Sequence, residues 1–160
     1  MKLYCYSDGA AHGSPGPAGI GGVVYDAEGG AFCDGNILGQ FSDPIGVADS
    51  ALAEWLALIR VLTLARDLGA TEVELNLDED GIVAALTGGA TMRAAHLVPY
   101  YEEARKLMAT FTDCDVRHVP RTGNTVADGL AGGAAGANRS YRYLQRNRDR
   151  LWKTRKENIR

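Results

Sequence analysis

The hydrophobic period changes along this chain, and that change limits what it can fold into. Up to residue 38 the apolar positions come in short runs rich in strand formers. Residues 2–8, 20–26 (IGGVVYD) and 31–38 (AFCDGNIL) read as strands, with Glu28-Gly29-Gly30 as a hairpin signal between the last two. From residue 50 the period lengthens to that of a helix. Glu54, Leu58, Val61, Ala65 and Leu68 fall on one stripe of a helix over 50–68, which Gly69 stops. Residues 72–77 (EVELNL) alternate again, as a strand. A short helix follows Asp78 as far as Gly88-Gly89. Residues 95–111 read as a helix and 114–119 as a fifth strand. Residues 125–136 read as a helix of small residues, and 139–158 as a last, basic helix. The order βββ-α-β-α-α-β-α-α predicts an α/β domain with a five-stranded mixed sheet. Three hairpin-linked antiparallel strands come first, two parallel strands follow, and helices flank both faces.

A chain of 160 residues suits one hydrophobic core. We expect one domain over 1–137 and a basic helical tail over 138–160. No stretch is long and apolar enough to span a bilayer. Met1 to Tyr6 reaches the polar Ser7-Asp8-Gly9 too soon to hold the apolar region of a signal peptide, so the expected location is the cytoplasm. Cys5, Cys33 and Cys114 are odd in number and follow no CxxC spacing, which predicts thiols rather than disulfides or a zinc site. The net charge of −3 is unevenly spread. Residues 139–160 hold nine Arg or Lys against two acids, whereas the preceding residues hold eight basic and eighteen acidic groups. A basic tail on an acidic body suggests a polyanionic partner for the tail, or a protein partner or second copy docked on its apolar stripe. It leaves the acidity of the body to be explained.

Four acids stand at unexpected places. Glu54 lies on the apolar stripe of its helix, where an unpaired carboxylate is costly. The plain alternative is an acid favoured by the helix dipole. Asp8 ends the first strand before a glycine, a position that turn chemistry alone can explain. Asp78 ends the fourth strand, where it reads equally well as a helix cap. Asp128 sits inside a helical pattern, where Asp is a poor helix former, or on a solvated face. Strand ends and helix starts can meet at one edge of such a sheet. Converging carboxylates raise one another's pKa and make sense if cations fill the cluster. Oxygen-only ligands favour Mg²⁺ or Mn²⁺ over zinc.

These residues also spell a family. Tyr6-Ser7-Asp8-Gly9-Ala10 with Gly13-Ser14-Pro15-Gly16-Pro17-Ala18-Gly19-Ile20-Gly21 resembles the opening motif of type I ribonuclease H. Ala53-Glu54-Trp55-Leu56-Ala57-Leu58 is similar to its A-E-Y-x-A-L helix. Asp78-Glu79-Asp80-Gly81-Ile82-Val83 takes the place of its third acidic motif. His118-Val119-Pro120-Arg121 with Asn124-Thr125-Val126-Ala127-Asp128 resembles its H-V-P-R and N-x-x-A-D signature. The resemblance runs from Leu3 to Ala134. It implies a ribonuclease H-like fold and an endonuclease that cuts the RNA strand of RNA/DNA hybrids, leaving 3′-hydroxyl and 5′-phosphate ends. It further implies Asp8, Glu54, Asp78 and Asp128 as ligands of two divalent ions, Mg²⁺ or Mn²⁺. His118 would stand in a flexible loop that assists proton transfer and product departure. Gly9, Ser14, Ser50, Arg121 and Asn124 would bind substrate, Asn124 by holding the loop or a ligand. For His118 and Asn124 the plain alternatives are a satisfied strand-end histidine and a turn residue.

The chain departs from the family in ways that bear on selectivity. The family's T-N-x-x-A-E reads Asp49-Ser50-Ala51-Leu52-Ala53-Glu54 here, so an Asn that reads RNA 2′-hydroxyls is replaced by shorter groups. Asp80 stands where a Gln is usual, and Ser14 where an Asn is usual. Residues 87–94 lack the basic insertion of some bacterial members and hold only Arg93. Two other readings stay open: a nuclease of this fold acting on DNA or structured RNA, and a weakly catalytic nucleic-acid-binding module.

Overall fold

The computed structural model describes residues 1–33 and 35–137. The strands are β1 (Lys2–Ala11), β2 (Gly16–Tyr25), β3 (Ile37–Ala48), β4 (Glu72–Leu77) and β5 (Asp113–His118). The helices are α1 (Ser50–Asp67), α2 (Asp80–Leu86) and α3 (Val98–Ala109), followed by α4 over 125–137. The sheet order is β3-β2-β1-β4-β5. β1, β2 and β3 pair antiparallel, while β1, β4 and β5 pair parallel, which is the expected mixed sheet. The expected tail helix and the boundary at 137/138 lie outside the described residues. No helix among the described residues is long and apolar enough to cross a membrane.

The third strand differs from expectation. It runs from Ile37 to Ala48, while Gly30–Cys33 forms a 3₁₀ turn. Asp26 closes the intervening loop: its carboxylate accepts the Asn36 amide at 2.8 Å and the Asn36 Nδ2 at 3.0 Å. Gly39, Pro44 and Gly46 give β3 the look of a loop. Pro44 is tolerated because β3 is an edge strand, and a bulge opposite Ala18 and Gly19 absorbs Ile45. The helix expected over 95–111 divides into a 3₁₀ turn (Ala95–Leu97) and α3, with Pro99 in the first turn.

The main core lies between the sheet and α1. Trp55, Leu58, Val61, Leu62 and Ala65 of α1 pack with Leu3, Cys5, Val73, Leu75 and Leu77 of the strands. Trp55 meets Tyr101 of α3 edge to face, with ring centroids 6.0 Å apart. On the opposite face α4 lies against β2 with almost no side chain between them. A methyl group at Gly21 would collide with the backbone of Ala127 and Ala131, and one at Gly19 with that of Ala131 and Ala135.

Gly21→Ala should therefore lift α4 and destabilise the protein by about 1–3 kcal/mol, as overpacking does. Gly129→Ala, at a site on α4 with open space around it, should be neutral or stabilising by up to about 1 kcal/mol. Urea unfolding of the two variants checks this. Equal effects would mean that α4 does not press on β2.

Candidate metal centre

β1 and β4 run parallel, with Tyr6 opposite Asn76 at the last paired position. Two residues further on, Asp8 and Asp78 emerge on the same face at the same edge. Glu54 reaches that edge from the first turns of α1. The start of this helix is fixed by two caps: Asp49 Oδ1 accepts the Leu52 amide at 2.7 Å, and Ser14 Oγ accepts the Ser50 amide at 3.2 Å. Gly9 lets α1 approach β1, since a side chain there would run into the backbone of Ala53 and Glu54.

Carboxylate oxygens of Asp8, Glu54 and Asp78 lie within 4.8 Å of one another. Asp8 is only 4% exposed. Burial, opposed by its hydrogen bond to Glu54 and reinforced by the charges of Asp78 and Asp128, raises the Asp8 carboxyl to about 6. Burial and then the hydrogen bond to Asp8 push Glu54 far above the ordinary carboxylate range. Without cations Glu54 thus keeps a proton and shares it with Asp8. Asp128 belongs to the first turn of α4, is exposed, and flanks Asp8 at the rim of the cluster. The cluster offers only oxygen, carries excess negative charge and is partly buried. Those properties fit hard divalent cations such as Mg²⁺ or Mn²⁺.

Ser14 and Ser50 come together beside α1, and Arg121 is exposed in a 3₁₀ turn (Arg121–Gly123). Two expected site residues are engaged with other groups of the fold. His118 is the last residue of β5, because the Val119 amide continues the ladder to the Leu77 carbonyl at 2.8 Å. It is paired with Leu77, and so faces the α2 side, where its Nε2 lies 2.9 Å from Asp80 Oδ1. Asn124 is buried, and its Nδ2 donates to the Ser7 carbonyl at 3.0 Å. Asp49 was not singled out in the sequence, although an Asp just before a helical run is a cap signal. Its second oxygen lies 3.2 Å from His96 Nε2. A cavity of about 400 Å³ opens beside Glu54, lined by Ser50, Trp55, Glu79, Ile82, Met92 and Leu97.

The raised Asp8 makes a pH prediction. A carboxyl whose pKa is higher folded than unfolded binds extra protons in the folded state. Its contribution is therefore full below the unfolded value near 4 and is lost as pH rises through about 6. In EDTA the parent should lose this contribution from about pH 4 to just above pH 6. Asp8→Asn should be more stable than the parent at pH 8 by about 1–2 kcal/mol, since a tenfold change in proton affinity is about 1.4 kcal/mol. Thermal melts across pH decide it; equal stability at pH 8 would show that burial in this cluster does not hold the Asp8 carboxyl up.

Residues 6–134 match the reverse-transcriptase-like family. The chain is 37% identical over 130 residues to the ribonuclease HI of Halobacterium salinarum, covering 81% of its own length and 62% of that protein. It is 35% identical over 137 residues to a bifunctional protein of Mycobacterium tuberculosis, of which it covers 36%. The chain thus spans less than two thirds of each of these curated relatives. Among solved structures, the N-terminal RNase H domain of a Mycobacterium tuberculosis protein matches with a TM-score of 0.81 at 33% identity, over 88% of this chain and 98% of that one. RNase H1 of Halobacterium salinarum matches with a TM-score of 0.79 at 36% identity, over 86% and 99%. An RNase H1 solved in complex with an RNA/DNA hybrid matches with a TM-score of 0.76 at 31% identity, over 84% and 97%. With the mixed sheet and the acidic edge in place, these likenesses show that the chain belongs to the reverse-transcriptase-like family and has the ribonuclease H fold.

Proposed function

We propose that this chain is a metal-dependent endoribonuclease that hydrolyses the RNA strand of RNA/DNA hybrids. The observation that carries this reading is the meeting of Asp8, Glu54 and Asp78, drawn from three separate elements, within 4.8 Å. The hybrid-bound relative supports the choice of substrate. Asp8, Glu54 and Asp78 would hold the ions, with Asp128 completing the set from α4. Two Mg²⁺ or Mn²⁺ ions, when bound, activate water for attack and stabilise the leaving oxygen. The protein's own part would be to hold four oxygen ligands at one edge of the sheet and to fix the substrate beside them. Gly9, Ser14, Ser50 and Arg121 would contact that substrate, the two hydroxyls suited to phosphate or 2′-hydroxyl contacts. His118 assists proton transfer or product departure only once its ring leaves Asp80.

A second reading, a nuclease with loose duplex preference, is favoured by one observation. The exposed Ser50 and Ala51 occupy the start of α1 where the family pattern has a longer amide. Labelled hybrid, RNA duplex, DNA duplex and single strands, each with Mg²⁺ and with Mn²⁺, separate the two. The hybrid should be cut in its RNA strand, and Asp78→Asn should lose more activity than the roughly 10–100-fold cost of losing an outer-shell metal partner. Equal cleavage of hybrid and RNA duplex would overturn hybrid selectivity. An undiminished Asp78→Asn would overturn the ligand assignment.

The basic segment 138–160 would supply the cations that the acidic body lacks. The full-length protein with Arg146, Arg148, Arg150 and Lys153 all changed to Gln should bind hybrid more weakly in Ca²⁺ at low salt. The slope of log K against log salt should flatten by about 0.9 for each lost phosphate contact. Identical slopes would leave this segment to a protein partner or a second copy of the chain.

A further inference from the structure

We infer that Asn124 is a positioning residue, a buried tie that fixes Asp128 of α4 against Asp8 of β1. The inference rests on the reading of the carboxylate cluster as a divalent-metal site. Asn124 is 1% exposed, so its side chain is not part of the surface that meets substrate. Its Nδ2 donates to the carbonyl of Ser7, 117 residues away in sequence and one residue before Asp8. Its own carbonyl accepts the amide of Asp128 at 3.0 Å, which sets Asp128 one helical turn further on. One residue therefore connects the backbones that carry two of the four carboxylates.

The packing around α4 explains why such a tie is needed. The helix meets the sheet through Ala127, Ala131, Ala134 and Ala135 against Gly19 and Gly21. Surfaces of small residues allow close approach, yet they have few projecting groups to fix how far a helix slides or turns. A directional hydrogen bond in a buried setting fixes both. The Asn124 Oδ1 and the Ser7 Oγ are buried without hydrogen-bond partners. Buried polar atoms left in that state oppose stability. An apolar residue would avoid that cost at position 124 but could not hold the Ser7 carbonyl. A second polar contact, from the Ser42 hydroxyl to the Leu130 carbonyl at 2.7 Å, also joins α4 to the sheet, but from β3 and away from the acids. It serves as an internal control.

The full-length protein is titrated with Mn²⁺, and binding is read by calorimetry and by the rise in melting temperature, with hybrid cleavage measured in parallel. Asn124→Ala should weaken Mn²⁺ binding roughly 10–100-fold, as loss of an outer-shell partner does. Its cleavage should recover at high metal, with little change in KM for the hybrid. Ser42→Ala, which loosens α4 elsewhere, should bind Mn²⁺ as the parent does. In an Asp128→Asn background, Asn124→Ala should cost no further affinity, because the residue acts through Asp128. If Asn124→Ala does not fold, Asn124→Leu, of similar volume without the donor, takes its place with the same expectation. Parent-like Mn²⁺ affinity in the position 124 variant overturns the tie. So does an equal loss with and without Asp128, or an equal loss in Ser42→Ala. If neither the parent nor Asp8→Asn responds to Mn²⁺, the metal reading itself fails and the tie fails with it.

Discussion

Burial of the Asp8, Glu54 and Asp78 carboxylates at one edge is the constraint that the other features of this fold must accommodate. Two of these groups are pushed up mainly by burial, and without cations they share a proton. Such an arrangement survives only if its supports are stiff, because the groups would otherwise separate toward water. The supports are backbone-level. Asp8 and Asp78 stand just beyond the parallel pairing of β1 with β4, and Glu54 stands on a helix whose start is capped by Asp49 and Ser14. None of the three depends on a long side chain reaching across a loop. That suits a site in which small displacements change how a cation is held.

Close backbone approach is the second condition, and it comes from absent side chains. Gly9 brings α1 down on β1, and Gly21 brings α4 down on β2. The two helices deliver Glu54 and Asp128 from opposite faces of the sheet to one edge. The large apolar residues then do a separate task. Trp55, Leu58, Val61 and Leu62 lock α1 on the core face, so Glu54 inherits the rigidity of a well-packed helix.

Much of this was legible in the sequence, for physical reasons. The α1 stripe, with a carboxylate where an apolar residue belongs, is a direct consequence of helical period. The strand order follows from hairpin-linked strands giving way to helix-linked ones. β3 was misplaced because an edge strand tolerates Pro44, Gly39 and Gly46, residues that in a central strand would mark a loop. His118 and Asn124 enter the candidate site through the resemblance of their motif to the family signature, which does not say which way each side chain points. Strand pleating turns His118 to the α2 side, and burial turns Asn124 inward. Periodicity alone does not tell which of two polar residues near a strand end faces solvent. The glycine contacts show the same limit: sequence marks a glycine but not the helix pressed against it.

The acidity of the body finally bears on how a polyanion could approach. Eight basic and eighteen acidic residues precede the tail, and four of those acids are the proposed metal ligands. Two divalent ions would carry as much positive charge as those four carboxylates carry negative, so a loaded centre would no longer repel phosphate, whereas an empty one would. The edge where Asp8 and Asp78 emerge would therefore lose its repulsion when metal is bound, while distant surface acids are screened within a Debye length of roughly 8 Å at physiological salt. Among the described residues, the exposed Arg121 just before α4 is a cation that could meet phosphate. On the proposed function, substrate binding would thus be coupled to metal binding, and a carboxylate that is a liability in the free protein would become the means of admitting the substrate.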